Sequence, residues 1–240
     1  MRQKTLKPLN GAAGGLINDQ VKNDEPAHSQ ESNRGDVYGP VARSLIVSAT
    51  ADFVRHGYEG ASVSRIVKAA GCNVRMLYHY FGNKHGLYRV CLEQAYEDLR
   101  KAETEATFWQ MPPAEAVDGL VRFTFDYMCR NRQFQALMRI ENMTNAQEVR
   151  DLTSVNSRAK TLIEAIGAVL DRGMEEGCFA SRPDPGLLYL SILGLSTIHI
   201  ANRHTMSVVL GRDLGDPAFL DLRREEVVGI IRASLASTAQ

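Results

Sequence analysis

The chain has 240 residues, 44% of them hydrophobic, and its 28 Lys and Arg are balanced by 28 Asp and Glu. A chain of this length and apolar content builds one or two domains with an ordinary core and needs no disulfide or metal to hold it. Its four cysteines, Cys72, Cys91, Cys129 and Cys178, form no CxxC pair, which argues against a zinc framework or a disulfide scaffold and fits a reducing cytosol.

No apolar run reaches the ~18 residues of a membrane span, and the first residues hold no apolar signal core. A cytoplasmic location and no membrane association are therefore expected. The charge balance conceals an asymmetry. Residues 41–90 carry seven Lys and Arg against two Asp and Glu, whereas residues 91–240 carry sixteen against twenty-one. A small basic module ahead of a larger acidic one hints at nucleic-acid binding.

Residues 1–38 are rich in Gly, Asn, Asp, Gln, Ser and Lys and show no apolar period, so a disordered tail is expected there. From residue 41 the pattern turns helical. Leu45, Ala49 and Phe53 recur every four residues, and Gly57 stops the run. Ser62 reads as the cap of a second helix whose inner stripe is Val63, Ile66, Val67 and Ala70. Gly71 ends it, Asn73 caps a third, and Leu77 and Phe81 face inward. Two short helices joined by a tight turn form a helix-turn-helix pattern.

A longer helix follows from Lys84 to about Thr107, with Leu87, Val90, Cys91, Ala95 and Leu99 near one stripe. Pro112-Pro113 breaks it. Further helices are expected at 113–131, 133–142, 147–177, 184–205 and 218–237, with loops at 182–186 and 210–217. No strand alternation and no repeat appear. The fold class is all-α: an N-terminal three-helix helix-turn-helix domain over 39–86, then a larger helical domain over 87–240.

A helix that reads the major groove must present donors, acceptors and methyl-contacting groups on one face and apolar anchors on the other. Residues 73–81 meet this. Leu77 and Phe81 anchor, while Asn73, Val74, Arg75, Met76, Tyr78, His79 and Tyr80 are left for the outside. Arg75 suits a guanine edge, and Val74 or Met76 a thymine methyl. Tyr78, Tyr80 and Lys84 suit phosphates, as do Ser62, Val63 and Ser64 at the start of the second helix. Taken singly, each tyrosine also reads as a packing aromatic and Arg75 as a solvated charge. Spacing, caps and local basicity together favour DNA.

The segment "GYEGASVSRIVKAAGCNVRMLYHYFGNKHGLYRVCLEQ", 57–94, resembles the DNA-binding region of TetR/AcrR-type transcriptional regulators. The resemblance rests on Gly57-Tyr58, Ser62-Val63, Ile66, Ala69-Ala70-Gly71, Leu77-Tyr78-His79-Tyr80-Phe81, Asn83-Lys84 and Leu87. The stretches "GCFASRPDP" and "HIANRHTMSVVLG" look like the branch containing regulators of pyrimidine catabolism. One departure stands in the third helix. Where relatives often carry a small residue and then Thr or Ser, this chain has Arg75-Met76, so a hydroxyl contact to phosphate is missing.

The resemblance implies a homodimer on a pseudo-palindromic double-stranded operator and a small-molecule effector of unknown identity. It also implies a pocket among the middle helices and a dimer interface in the last two. Candidates for the pocket are Phe108, Trp109, Phe134, Met138, Asn142, His199, Asn202 and Arg203, although the aromatics also read as core and the polar residues as surface. Candidates for the interface are Leu187, Leu190, Gly194 and Ile198, with Val227, Ile230 and Ile231. The helix after the DNA-binding module would carry the effector signal.

Catalysis finds no support. No GxSxG, GxGxxG or Walker sequence occurs, and His79 and His85 lie six apart across a glycine, which is not a metal-ligand spacing. No enzyme activity, cofactor or metal is expected. The alternatives are a helical protein-interaction domain, or an activator that works without an effector.

Overall fold

A computed structural model describes residues 38–236, together with the backbone but not the side chains of Thr153–Asn156 and Arg158. The expected tail lies outside the described residues apart from Tyr38. All regular structure among the described residues is helical.

Helix α1, Pro40–Gly60, begins on a proline, whose fixed φ suits a first turn, and buries Ala42, Leu45, Ile46, Ala49 and Phe53 along one face. It kinks at Gly57, which adopts φ +70°. Helices α2, Val63–Ala69, and α3, Val74–Phe81, follow, joined by a turn in which Gly71 takes φ +67°. Asn73 caps α3 by accepting from the Met76 amide at 3.1 Å. The Asn83 side chain does the same for α4, Lys84–Glu105, accepting from the Gly86 amide at 2.8 Å. Gly86 is required there, because a Cβ would fall 2.1 Å from the Phe81 carbonyl oxygen. The expected domain boundary at residue 86 falls inside α4, which runs on unbroken into the second half of the chain.

A 3-10 turn over Thr107–Gln110 leads to α5, Pro113–Arg130, and α6, Arg132–Met143. The remaining helices are α7, Thr153–Glu175; α8, Pro185–Ala201; α9, Arg203–Leu210; and α10, Pro217–Ala236. The first apolar core joins α1–α4 to Leu137 of α6 and to Leu152. The second packs α5 against α7, α8 and α10 around Val121, Phe125, Ile166 and Leu170. Leu99, Met128 and Phe134 form a smaller cluster among α4, α5 and α6.

Two expected helices are corrected. The one placed at 147–177 starts at residue 153, because Asn145 and Ala146 take φ 58° and 56° and divert the chain. The buried Glu141 carboxylate then captures the amides of Glu148 and Val149, each at 3.1 Å, and so shapes the link that a helix would have filled. The helix placed at 184–205 is two helices, α8 and α9, bent by 77° at Asn202. The Asn202 side chain donates to the Ile198 carbonyl at 3.2 Å and closes α8, while Arg203 leaves toward Asp213. No single helix among the described residues is long and apolar enough to cross a membrane.

Glu141 ties the two halves together, since its carboxylate also accepts from the Tyr88 hydroxyl of α4 at 2.8 Å. Glu141→Ala leaves one buried hydroxyl and two half-buried amides without their acceptor. A loss of about 3 kcal/mol or more is expected, read as a lower urea midpoint; a loss below about 1 kcal/mol would show that water or relaxation satisfies them.

Candidate nucleic-acid interface

Ile66, Leu77 and Phe81 are buried and seat α2 and α3 on α1. With that face occupied, the opposite face of α3 stands in solvent. Val74, Arg75, Tyr78, His79 and Tyr80 are exposed on it, with Tyr78 51% accessible despite its size. Arg75 makes no hydrogen bond or ion pair among the described residues, so its fork of donors is available. His79 and Tyr80 meet edge to face at 5.2 Å. A short helix carrying exposed aromatics, an unpaired arginine and a methyl-bearing Val74 has the groups that base edges and phosphates require.

The structure places the other expected contacts differently. Met76 is half-buried against the first core, as is Val63, so neither stands on the outward face. The side chain of Asn73 is engaged in its cap. Ser62 precedes α2, but its hydroxyl makes no cap; its backbone amide donates instead to Asp52 Oδ2 at 2.8 Å. Ser64 is exposed at the start of α2.

Lys84 differs most. Its ammonium lies over the Tyr58 ring at 4.6 Å and donates to the carbonyls of Tyr58, Ala61 and Glu59 at 2.8, 3.3 and 3.4 Å. It therefore satisfies the end of α1 rather than facing outward.

One positioning pair was not visible in the sequence. Arg65 grips Asp52 with Nε at 2.8 Å and Nη2 at 3.0 Å, and reaches the Gly60 carbonyl at 2.6 Å. Arg65 holds the Asp52 carboxyl below its ordinary pKa. The pair spans thirteen residues, and no local pattern marks it.

The eight expected pocket residues do not converge. Phe108 and Phe134 are buried core side chains, and Phe134 meets the Tyr96 ring at 5.5 Å. Met138 is half-buried, its sulfur 3.0 Å from the Tyr96 hydroxyl. Asn142 and Asn202 are exposed and donate to carbonyls of their own helices. Arg203 is paired with Asp213 at 3.0 Å. Trp109 alone of the eight lines a cavity of about 530 Å³ between α4 and α7, with Arg100, Glu103, Thr161 and Leu162. The buried Arg100–Glu103 pair there was missed: burial lifts the Glu103 carboxyl above its ordinary value although Arg100 opposes this. Tyr189, also pressed against the pair, is pushed up to about 12 by burial.

Leu187, Leu190, Gly194 and Ile198 are exposed on α8 as a stripe, and Ile230 is exposed on α10. A groove of about 550 Å³ runs between the two helices, lined by Leu187, Gly194 and Ile230 among others. Val227 and Ile231 are corrected. They are 0% and 2% accessible, because their four-residue spacing points them into the second core, and Ile231 reaches the groove only as part of its floor.

Residues 45–91 match the family described as bacterial regulatory proteins, tetR family, and residues 113–231 match the tetracyclin repressor-like C-terminal domain. The chain is 28% identical over 173 residues to the HTH-type transcriptional repressor NicS of Pseudomonas putida, covering 72% of this chain and 82% of that protein. Among solved structures, a transcriptional regulator of Streptomyces coelicolor, SCO4942, aligns with TM-score 0.63 at 20% identity, over 81% of this chain and 97% of that one. AibR, solved with isovaleryl coenzyme A and operator DNA, aligns with TM-score 0.57 at 18% identity, over 79% and 97%.

His199 is buried at the end of α8, stacked on Phe125 at 4.8 Å, with Nδ1 unpartnered and Nε2 3.8 Å from the Cys129 sulfur. Burial, with Arg223 nearby, lowers its pKa from 6.5 to about 4. The unfolded chain thus binds a proton that the folded one refuses between those values, so this residue's contribution is present above pH 6.5 and is lost as pH falls toward 4. Stability is expected to drop by on the order of 2 kcal/mol across that window. In His199→Phe the drop should shrink, as measured by chemical denaturation at several pH values.

Proposed function

Because the chain belongs to the TetR family of bacterial regulatory proteins, it is a DNA-binding transcriptional regulator, and we propose that it is a homodimeric repressor released from a pseudo-palindromic operator by a small-molecule effector. The observation that carries the DNA reading is the outward face of α3, where Arg75 stands unpaired between Val74 and the exposed Tyr78 and His79. Tyr80 and Ser64 take phosphates. Met76 and Asn73 hold α3 in place and Lys84 ties α4 to the end of α1, rather than touch DNA, and Ser62 and Val63 serve α2 in the same way.

Repression is supported by a relative named as a repressor, and response to a small molecule is supported by a structural neighbour solved with both a coenzyme A ester and operator DNA. The exposed apolar stripe of α8 and α10 supports two-fold assembly, since Leu187, Leu190, Ile198 and Ile230 together form a patch unusual for a monomer surface. Two copies then present two recognition helices to half-sites about 34–36 Å apart in the simplest arrangement. The protein works in the cytoplasm, without a cofactor and without catalysis.

Selection of bound duplexes from a random library tests the reading. The wild type should enrich a palindrome. Arg75→Ala should lose about 1–3 kcal/mol and relax preference at one base in each half-site. A loss spread evenly over all sequences would make Arg75 a backbone contact, and no enrichment at low salt would remove the DNA reading.

The interface has its own check. Leu190→Asp should convert the dimer to monomer in analytical ultracentrifugation and abolish palindrome binding. A dimer that persists would place the contact elsewhere.

A further inference from the structure

A second cavity, of about 290 Å³, lies where α6 passes the bend between α8 and α9 and the loop before α10. Its charged lining consists of arginines. Arg132 and Arg139 come from α6, and Arg203 and His204 from the start of α9; no Asp or Glu lines it. Arg132 and Arg139 are seven residues apart, two helical turns, and so share one side of α6.

Arginines elsewhere in the second half of the chain are mostly paired: Arg122 with Glu225, Arg182 with Asp171, Arg224 with Asp126, Arg232 with Asp118. Arg203 too is engaged, held by Asp213 with both oxygens. Asp213 also takes the Gly215 amide at 2.8 Å, so that wall of the cavity is fixed. Arg132 and Arg139 are exceptions, as is Arg212, which lies over the Phe219 ring at 4.5 Å. Neither Arg132 nor Arg139 makes a hydrogen bond or ion pair among the described residues, and both are exposed. Between them Gln135 is turned away from solvent, its amide donating to the Met128 carbonyl at 2.7 Å. Ile200 and Leu220 supply an apolar floor.

Two unpaired guanidiniums over an apolar floor are suited to a ligand with an anionic group at each end. Each fork takes one carboxylate or phosphate in two parallel hydrogen bonds. Seven residues of helix set the forks' origins about 10 Å apart, so the ligand is an elongated molecule rather than a single compact anion. The volume is at the small end of ligand cavities, which limits it to a short chain. We propose that this cavity binds a small organic dianion, a short dicarboxylate or a phosphorylated acid, clamped between Arg132 and Arg139 against the α8–α9 bend.

The consequence for control rests on the reading of the protein as an effector-regulated DNA binder. Helix α6 contributes Leu137 to the core of the DNA-binding helices and packs on α1. A ligand that ties α6 to the bend therefore acts on an element in direct contact with the operator-reading module.

Calorimetric titration of the full chain at constant ionic strength tests the proposal, with adipate, phosphoglycolate and the monoanion hexanoate as probes. At least one of the two dianions should bind, and which of them binds more tightly identifies the source. Arg132→Gln and Arg139→Gln should each weaken it roughly tenfold, whereas Arg130→Gln, which removes a cation paired with Asp126 outside the cavity, should not. Absence of binding by either dianion, hexanoate binding as tightly, or an equal loss in Arg130→Gln would overturn it. Operator binding is measured on the same preparations without ligand. A protein that binds its operator but no dianion refutes only the dianion site, and one that binds a dianion but no DNA refutes only the regulator reading.

Discussion

A single buried carboxylate governs how the two halves of this chain meet. Glu141 sits at the end of α6, 3% accessible, and receives the Tyr88 hydroxyl from α4 and two backbone amides from the link that follows. A carboxylate taken out of water is costly unless its lone pairs are met, and here three donors meet them. Tyr88 in turn packs edge to face on Phe53 of α1 at 4.8 Å. The same link carries Glu148, whose carboxylate lies 2.8 Å from His85 at the start of α4. The orientation of the helix-turn-helix module thus depends on an acid that belongs to the other half of the chain.

Around that joint, charged groups work mainly on the scaffold, and the outward face of α3 is left free. Arg65 and Asp52 fix α2 to α1, and Lys84 fixes the start of α4 to the end of α1. Three charged residues in the basic module thereby satisfy one another or the backbone. Arg75, by contrast, has nothing to hold. The basicity counted over residues 41–90 consequently overstates the charge offered to a partner, since part of it is spent inside the module. Tyr78 has no such internal duty, and at 51% accessible it stands in solvent where the proposed DNA contact needs it.

The sequence carried the helices of the first module well, because Leu45, Ala49, Phe53, Leu77 and Phe81 repeat at helical spacing and Gly57, Gly71 and Asn73 mark the ends by their own backbone preferences. It misled where an end is set by a distant group. Nothing near residue 147 announces that Glu141 will take the next two amides, and nothing in "STIHIANRHT" announces a bend, since Asn202 closes α8 only once Arg203 has Asp213 to turn toward. The outward residues of α3 were legible for the same reason as its anchors. Lys84 was not, because a lysine just after the third helix suits a phosphate, while the carbonyls that claim it come from residues 23 to 26 positions earlier. The pocket was least legible. Large aromatics such as Phe108 and Phe134 look alike in sequence whether they fill a core or line a hole, and the buried Arg100–Glu103 pair reads as an ordinary surface charge pair three residues apart.

Helix α4 has a mechanical consequence. It begins beside the Lys84 and Asn83 caps and ends at Glu105, next to the cavity walled by Trp109. Twenty-two residues at 1.5 Å each make a lever about 33 Å long. A tilt of about 5° about one end moves the other by about 3 Å, the length of a hydrogen bond. A hydrogen bond does not survive a shift of that size. A displacement too small to disturb the fold at the Trp109 end becomes, at the Lys84 end, a shift of about a hydrogen bond's length beside α3.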